Sequence, residues 1–132
     1  MAIQDIASDL KPVVESLAII SANGVTNGNA VDTAGFECGI MFIAECVQYT
    51  DGDYAITLEE SDDNITFAAL PAGKLIGGMA VIDAVAAEGD TVQKVGLFSN
   101  KRYVRSVITA STVTSGAAII VTAILRGELR PV

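Results

Sequence analysis

The chain contains no histidine and no tryptophan, only two cysteines and three prolines, and just 5% aromatic residues. Each shortage excludes chemistry. Without imidazole there is no Ser-His or Cys-His nucleophile activation, no proton shuttle near neutral pH, and little transition-metal ligation. With no Trp, three Tyr and four Phe, the exposed aromatic platforms of sugar-binding sandwiches are scarce. Basic residues are few as well: eight against sixteen acidic ones give a net charge of −8. That balance opposes the phosphate neutralisation on which nucleic-acid binding depends, so no nucleic-acid partner is expected. No run of about eighteen apolar residues exists to span a bilayer, and "MAIQDIASDLKP" lacks the basic and apolar regions of a secretory signal. No membrane partner is expected, and the expectation is a soluble chain made in the cytoplasm.

Small and aliphatic residues are plentiful: 51% of the chain is hydrophobic and twelve residues are glycine. At 132 residues the chain fits one domain, which buries roughly two-thirds of its unfolded surface. Charged residues, at 18%, fall below the usual ~25%. Such a domain holds more apolar side chains than its interior consumes, which predicts contact with another chain, as a homo-oligomer (dimer or trimer) or a docked subunit.

Residues 1–16 read as an N-terminal arm. Ile3, Ile6 and Leu10 recur at helical spacing, but Pro12 interrupts the pattern. From residue 17 to 132 the text consists of short β-rich segments between Gly, Asn, Asp and Ser clusters, with "NGVTNGN" as a turn region. About eight strands without a long helix predict an all-β single domain, a sandwich, jelly roll or small barrel, of which a β-sandwich, jelly-roll-like in form, is the reading adopted.

Two segments break the alternation expected of a half-buried strand. In "CGIMFIAECV", Cys38, Ile40, Phe42, Ala44 and Cys46 share one face, yet Met41, Ile43 and Val47 on the other are apolar too. In "AAIIVTAIL", Ile119, Val121, Ala123 and Leu125 are backed by Ala118, Ile120 and Ile124. A strand apolar on both faces needs cover on both, and a sandwich supplies only one. The arm, a loop or a neighbouring subunit must supply the other. Cys38 and Cys46, roughly 26 Å apart along one strand at ~3.3 Å per residue, cannot bridge and read as small buried hydrophobes.

The densest cluster of carboxylates, "DGDYAITLEESDDNITF", fails as an EF-hand. Ala55 would stand at the fifth ligand position, Ile56 where the loop needs Gly, and Asp62 where it needs a bidentate Glu. As a hairpin it works, with Tyr54, Ile56 and Leu58 on one face, "SDDN" as the turn, and Ile65 and Phe67 resuming the buried face. A weak Ca²⁺ site at Asp51 and Asp53 is the alternative. Glu59 and Glu60 point to opposite faces and cannot share a substrate. "GKLIGG" lacks the order of a phosphate loop. "NKRYVR" gathers Lys101, Arg102 and Arg105 beside Tyr103, either as an exposed strand face or as a contact patch for an acidic partner. No catalytic residue, metal ligand or cofactor is expected.

"TLEESDDNITFAAL" and "NKRYVR", set within "DGDYAITLEESDDNITFAALPAGKLIG", "VGLFSNKRYVRSVITAS" and the closing "ILRGELRPV", resemble small structural proteins of tailed phages and prophages associated with the capsid. The resemblance spans about residues 15 to 132. It implies a β-sandwich or jelly roll that binds the major capsid protein on the virion exterior as a non-catalytic decoration or cement protein. The contact residues expected on this basis and from the surplus of apolar residues are Ile3, Ile6 and Leu10, then Met41, Ile43 and Val47, then Arg102, Tyr103 and Arg105. A carbohydrate- or Ca²⁺-binding module, or a tail-associated protein, is the alternative.

Overall fold

A computed structural model describes residues 10–34, 36, 39–77, 80–82 and 92–127. Eleven strands occur among them: β1 (Leu10–Ile20), β2 (Gly24–Asn27), β3 (Val31–Asp32), β4 (Gly39–Tyr49), β5 (Asp53–Ser61), β6 (Ala68–Ala69), β7 (Leu75–Ile76), β8 (Ala80–Ile82), β9 (Val92–Leu97), β10 (Tyr103–Ser111) and β11 (Ala117–Arg126). One 3-10 turn, Ala72–Lys74, is the sole helical element among the described residues. Every strand pair is antiparallel. The strands form two sheets, a five-stranded one in the order β1-β11-β4-β9-β7 and a six-stranded one built on β2-β10-β5-β6, with β3 added to β10 and β8 to β5. The chain is an all-β sandwich.

Alternation explains the core. Ile40, Phe42 and Ala44 of β4 and Ile119, Val121, Ala123 and Leu125 of β11 point inward from one sheet. Tyr54, Ile56 and Leu58 of β5 and Val104, Ile108 and Ala110 of β10 point inward from the other. Successive side chains in a strand face opposite ways, so each of these runs commits every second residue to the interior. Fully burying one such aliphatic side chain contributes roughly 1.5–3 kcal/mol.

Three expectations are corrected here. The arm does not extend to residue 16: Leu10–Ser16 belongs to β1, paired along β11 from Leu10↔Arg126 to Ile20↔Ala117. Pro12 does not interrupt this strand because β1 is the sheet's edge, where a missing N–H leaves no partner wanting. Within "NGVTNGN", residues Gly24–Asn27 form β2 rather than a turn, paired with β10 through Val107↔Asn27 and Ala110↔Gly24. The carboxylate-rich segment is a hairpin, β5 returning as β6 with Glu59 opposite Ala69. Ile65, however, stands 82% exposed in the turn, and Phe67 is half-buried rather than part of the core.

The turn itself is capped by its own side chains. Asp63 Oδ1 accepts from the N–H groups of Ile65 and Thr66, both at 2.9 Å, and Asn64 takes the left-handed backbone conformation at φ 61°. Asn and Asp suit such positions because their short side chains bond locally and tolerate that conformation.

Candidate functional site

The outward-facing residues of the five-stranded sheet follow from its registers. Across β1, β11, β4 and β9, one row is Leu17, Ile120, Glu45 and Val92; the next is Val14, Thr122, Ile43 and Lys94; the third is Pro12, Ile124, Met41 and Gly96, with Ile76 of β7 beside it. Ile19 and Ala118 extend the field at one end, and Leu10 and Arg126 close it at the other. Leu17 is 65% exposed and Ile19 82%; Val14, Ile76 and Val92 are also exposed, while Met41, Ile43, Ile120 and Ile124 are half-buried among their neighbours. This is a mainly apolar field, broken by Glu45, Thr122 and Lys94, and larger than scattered surface hydrophobes require.

Of the nine anticipated contact residues, Leu10, Met41 and Ile43 lie on this face. Val47 is the extra residue of a bulge in β4, between Ala118↔Gln48 and Ile119↔Cys46, and is exposed beside it. Ile3 and Ile6 lie outside the described residues. Arg102, Tyr103 and Arg105 stand on the other sheet, so the nine do not form a single site.

The basic patch is already partnered within the chain. Arg102 grips Asp32 in a two-point pair, Nε at 3.0 Å and Nη2 at 2.8 Å, and lies 5.3 Å from the Tyr103 ring. Arg105 pairs with Glu59, Nη2 at 2.7 Å, and stacks 3.9 Å over Phe67. Lys101 meets Asp62 at 2.6 Å, and Lys74 meets the buried Glu60 at 3.0 Å, where Ser99 also donates. The Arg102 guanidinium, aided by the Ala34 N–H, pulls the Asp32 carboxyl down to about 2. These contacts spend the patch's charge internally.

The acidic loop is likewise occupied. Asp51 accepts from three successive backbone N–H groups, those of Thr114, Ser115 and Gly116, at 2.9–3.0 Å to Oδ1. Led by the Thr114 N–H, they hold its carboxyl below the ordinary range. Asp53 accepts from Thr112 Oγ1 at 2.7 Å. The two carboxylates thus fasten the β4–β5 turn to the β10–β11 connection. Among the described residues, no three His, Cys, Asp or Glu side chains stand where they could share a metal ion.

One carboxylate is fully buried. Glu15 is the extra residue of a bulge in β1, between Val14↔Thr122 and Ser16↔Val121, and turns inward instead of outward. It crosses to the other sheet, accepting from Ser106 N at 2.9 Å and from Ser106 Oγ at 2.6 Å. Gly28 closes the pocket, and a Cβ there would overlap the Glu15 carboxylate. Burial raises the Glu15 pKa from 4.5 to about 6, against the opposing pull of the two Ser106 donors.

A cleft of about 590 Å³ opens at one end of the sandwich, between the β3–β4 and β9–β10 connections. Ile40 and Leu97 form its floor, Phe36 and Phe98 its apolar wall, and Ser99 and Arg102 part of its polar rim. Lys11 sits 5.4 Å over the Phe36 ring. Its charged groups are those already paired above.

The sequence reading missed Val14, Leu17, Ile19, Val92 and Ile76 as surface residues. "VVESLAII" is apolar at both parities, which was a usable signal; the bulge at Glu15, which moves Val14 and Leu17 onto one face despite their odd separation, was not visible. Comparison with protein-family models, with curated proteins and with solved structures finds no match for the chain.

Proposed function

We propose that this chain is a non-catalytic structural subunit of a tailed-phage head, seated on the capsid exterior as a decoration or cement protein. The observation that carries the proposal is the apolar outer face of the five-stranded sheet, set opposite a sheet whose outward charges are internally paired. An exposed field of this kind stabilises a molecule only when something covers it, since burial returns about 25 cal/mol per Å². Many copies, each contributing a modest contact across junctions between shell subunits, would reinforce a shell strained from within. The net charge of −8 suits a solvent-facing exterior better than a DNA-facing interior. The jelly-roll form expected of such proteins is supported by the strand interleaving, β1-β11-β4-β9 facing β2-β10-β5-β6.

Reading the frames that flank this gene, and co-expressing the chain with a major capsid protein encoded there, provides the test; flanking frames that encode only tail proteins count against it. The chain should sediment with assembled heads, be accessible to protease or antibody on intact particles, and raise the temperature at which heads release DNA. Sedimentation with tails alone, or absence from particles altogether, would overturn the assignment. Deleting residues 2–9, which leaves β1 whole, should lower head occupancy if the segment holding Ile3 and Ile6 contributes.

A further inference from the structure

We propose that the outer face of the five-stranded sheet is the contact between two copies of this chain, packed sheet against sheet about a two-fold axis between the faces. This rests on the reading of the chain as an assembly subunit, names a second copy as the cover of that face, and leaves contact with the shell to the surfaces outside it. Size is the first reason. Three strands of about ten residues, with parts of two more, at ~4.8 Å between strands and ~3.3 Å per residue, present on the order of 600 Å² in projection. That approaches the ~800 Å² per partner of a stable interface.

Composition is the second reason. Ile120, Ile124, Met41 and Ile43 lie on the interior strands β11 and β4 with Leu17 beside them on β1; Thr122 and a single charge, Glu45, share those interior strands, and Lys94 flanks them on β9. Self-association interfaces are more apolar than those made between independently folded partners, and their centres are depleted of charge.

Charge is the third. The chain as a whole is strongly acidic, so two copies repel across most orientations. Among the described residues this face carries one acidic residue, Glu45, and two basic ones, Lys94 and Arg126, so two copies meeting on it bring no net acidic charge together. A two-fold contact needs only that the patch complement itself, since each residue's partner on the second copy repeats the same pair.

Sedimentation equilibrium of the full chain over about 1–100 μM tests this. The expected mass is twice 13.6 kDa. The double variant Leu17→Glu/Ile19→Glu should sediment as a monomer while keeping a β-type circular dichroism spectrum and a cooperative melt. Thr57→Glu, on the outer face of the other sheet, should leave the dimer intact. If the double variant fails to melt cooperatively, Val92→Glu on a different strand of the same face supplies the same reading. A monomer throughout, a trimer, or a dimer indifferent to the folded variants would overturn the inference. A monomer that binds heads and loses that binding in Leu17→Glu/Ile19→Glu would place shell protein on the face, ending the dimer and leaving the structural role. A dimer that never binds heads would do the reverse.

Discussion

On the outer face of β10, Arg105 lies against Glu59 and over Phe67, and Thr109 and Ser111 meet water. On the outer face of β11, Ile120 adjoins Leu17 and Ile124 adjoins Met41. Both strands are central in their sheets and both bury their inward residues, so inward packing does not distinguish them. The difference lies in what the outward residues are equipped to meet: β10 carries groups that satisfy one another or bond to water, whereas β11 carries groups that gain only from being covered. A sandwich can be finished on one side and left open on the other.

The contrast is sharpest within β11, where neighbours face opposite ways. Ile119→Ala, in the core, should cost about 2–5 kcal/mol in urea unfolding. Ile120→Ala, one residue on, should cost under about 1.5 kcal/mol in the isolated monomer while weakening any association. Equal costs at the two positions would mean that the outer face is covered within the chain.

Glu15 tests the join between the sheets. Its pKa rises from 4.5 to about 6 on folding, so the folded chain holds the proton more tightly. The contribution is therefore fully present below pH 4.5 and is lost as pH rises through 6. The loss amounts to about 2 kcal/mol at about 1.4 kcal/mol per pH unit. Glu15→Gln should remove this dependence, so that wild type loses stability relative to the variant between pH 4.5 and 7. Parallel curves would show that Glu15 does not titrate between those limits.

Smaller effects belong to the polar sheet. A double-mutant cycle on Arg105→Ala and Glu59→Ala should give a coupling of about 0.5–1 kcal/mol, falling with added salt. Asp51→Asn should act mainly in acid. The wild-type carboxyl has a lowered pKa, so its contribution is present above pH 3.8 and is lost as pH falls further. The variant's stability should be flatter across that range, read by thermal melts at pH 2–5.

Much of the sandwich was legible because alternation is local. "DYAITL" and "AAIIVTAIL" announce their inward residues, and the doubly apolar runs announced an unfinished face. Residues 1–16 read as an arm because Pro12 and the helical spacing of Ile3, Ile6 and Leu10 outweigh the strand-like "VVESLAII". Only the sheet order shows that Pro12 lies at an edge. Glu15 could not be read as buried because a bulge, not alternation, turns it inward. The basic patch looked available because Asp32 lies seventy residues from Arg102, a separation that no local pattern bridges.

The edge formed by β1 bears on how large such an assembly can grow. Pro12 removes one backbone donor from that border, and the bulge at Glu15 throws the rest out of step, so another strand cannot easily zip alongside it. Lateral recruitment would extend without limit, as in a fibre; stacking by a single face is satisfied once. At this border, growth by added strands is closed, and contact through the broad face is the mode of association left to it.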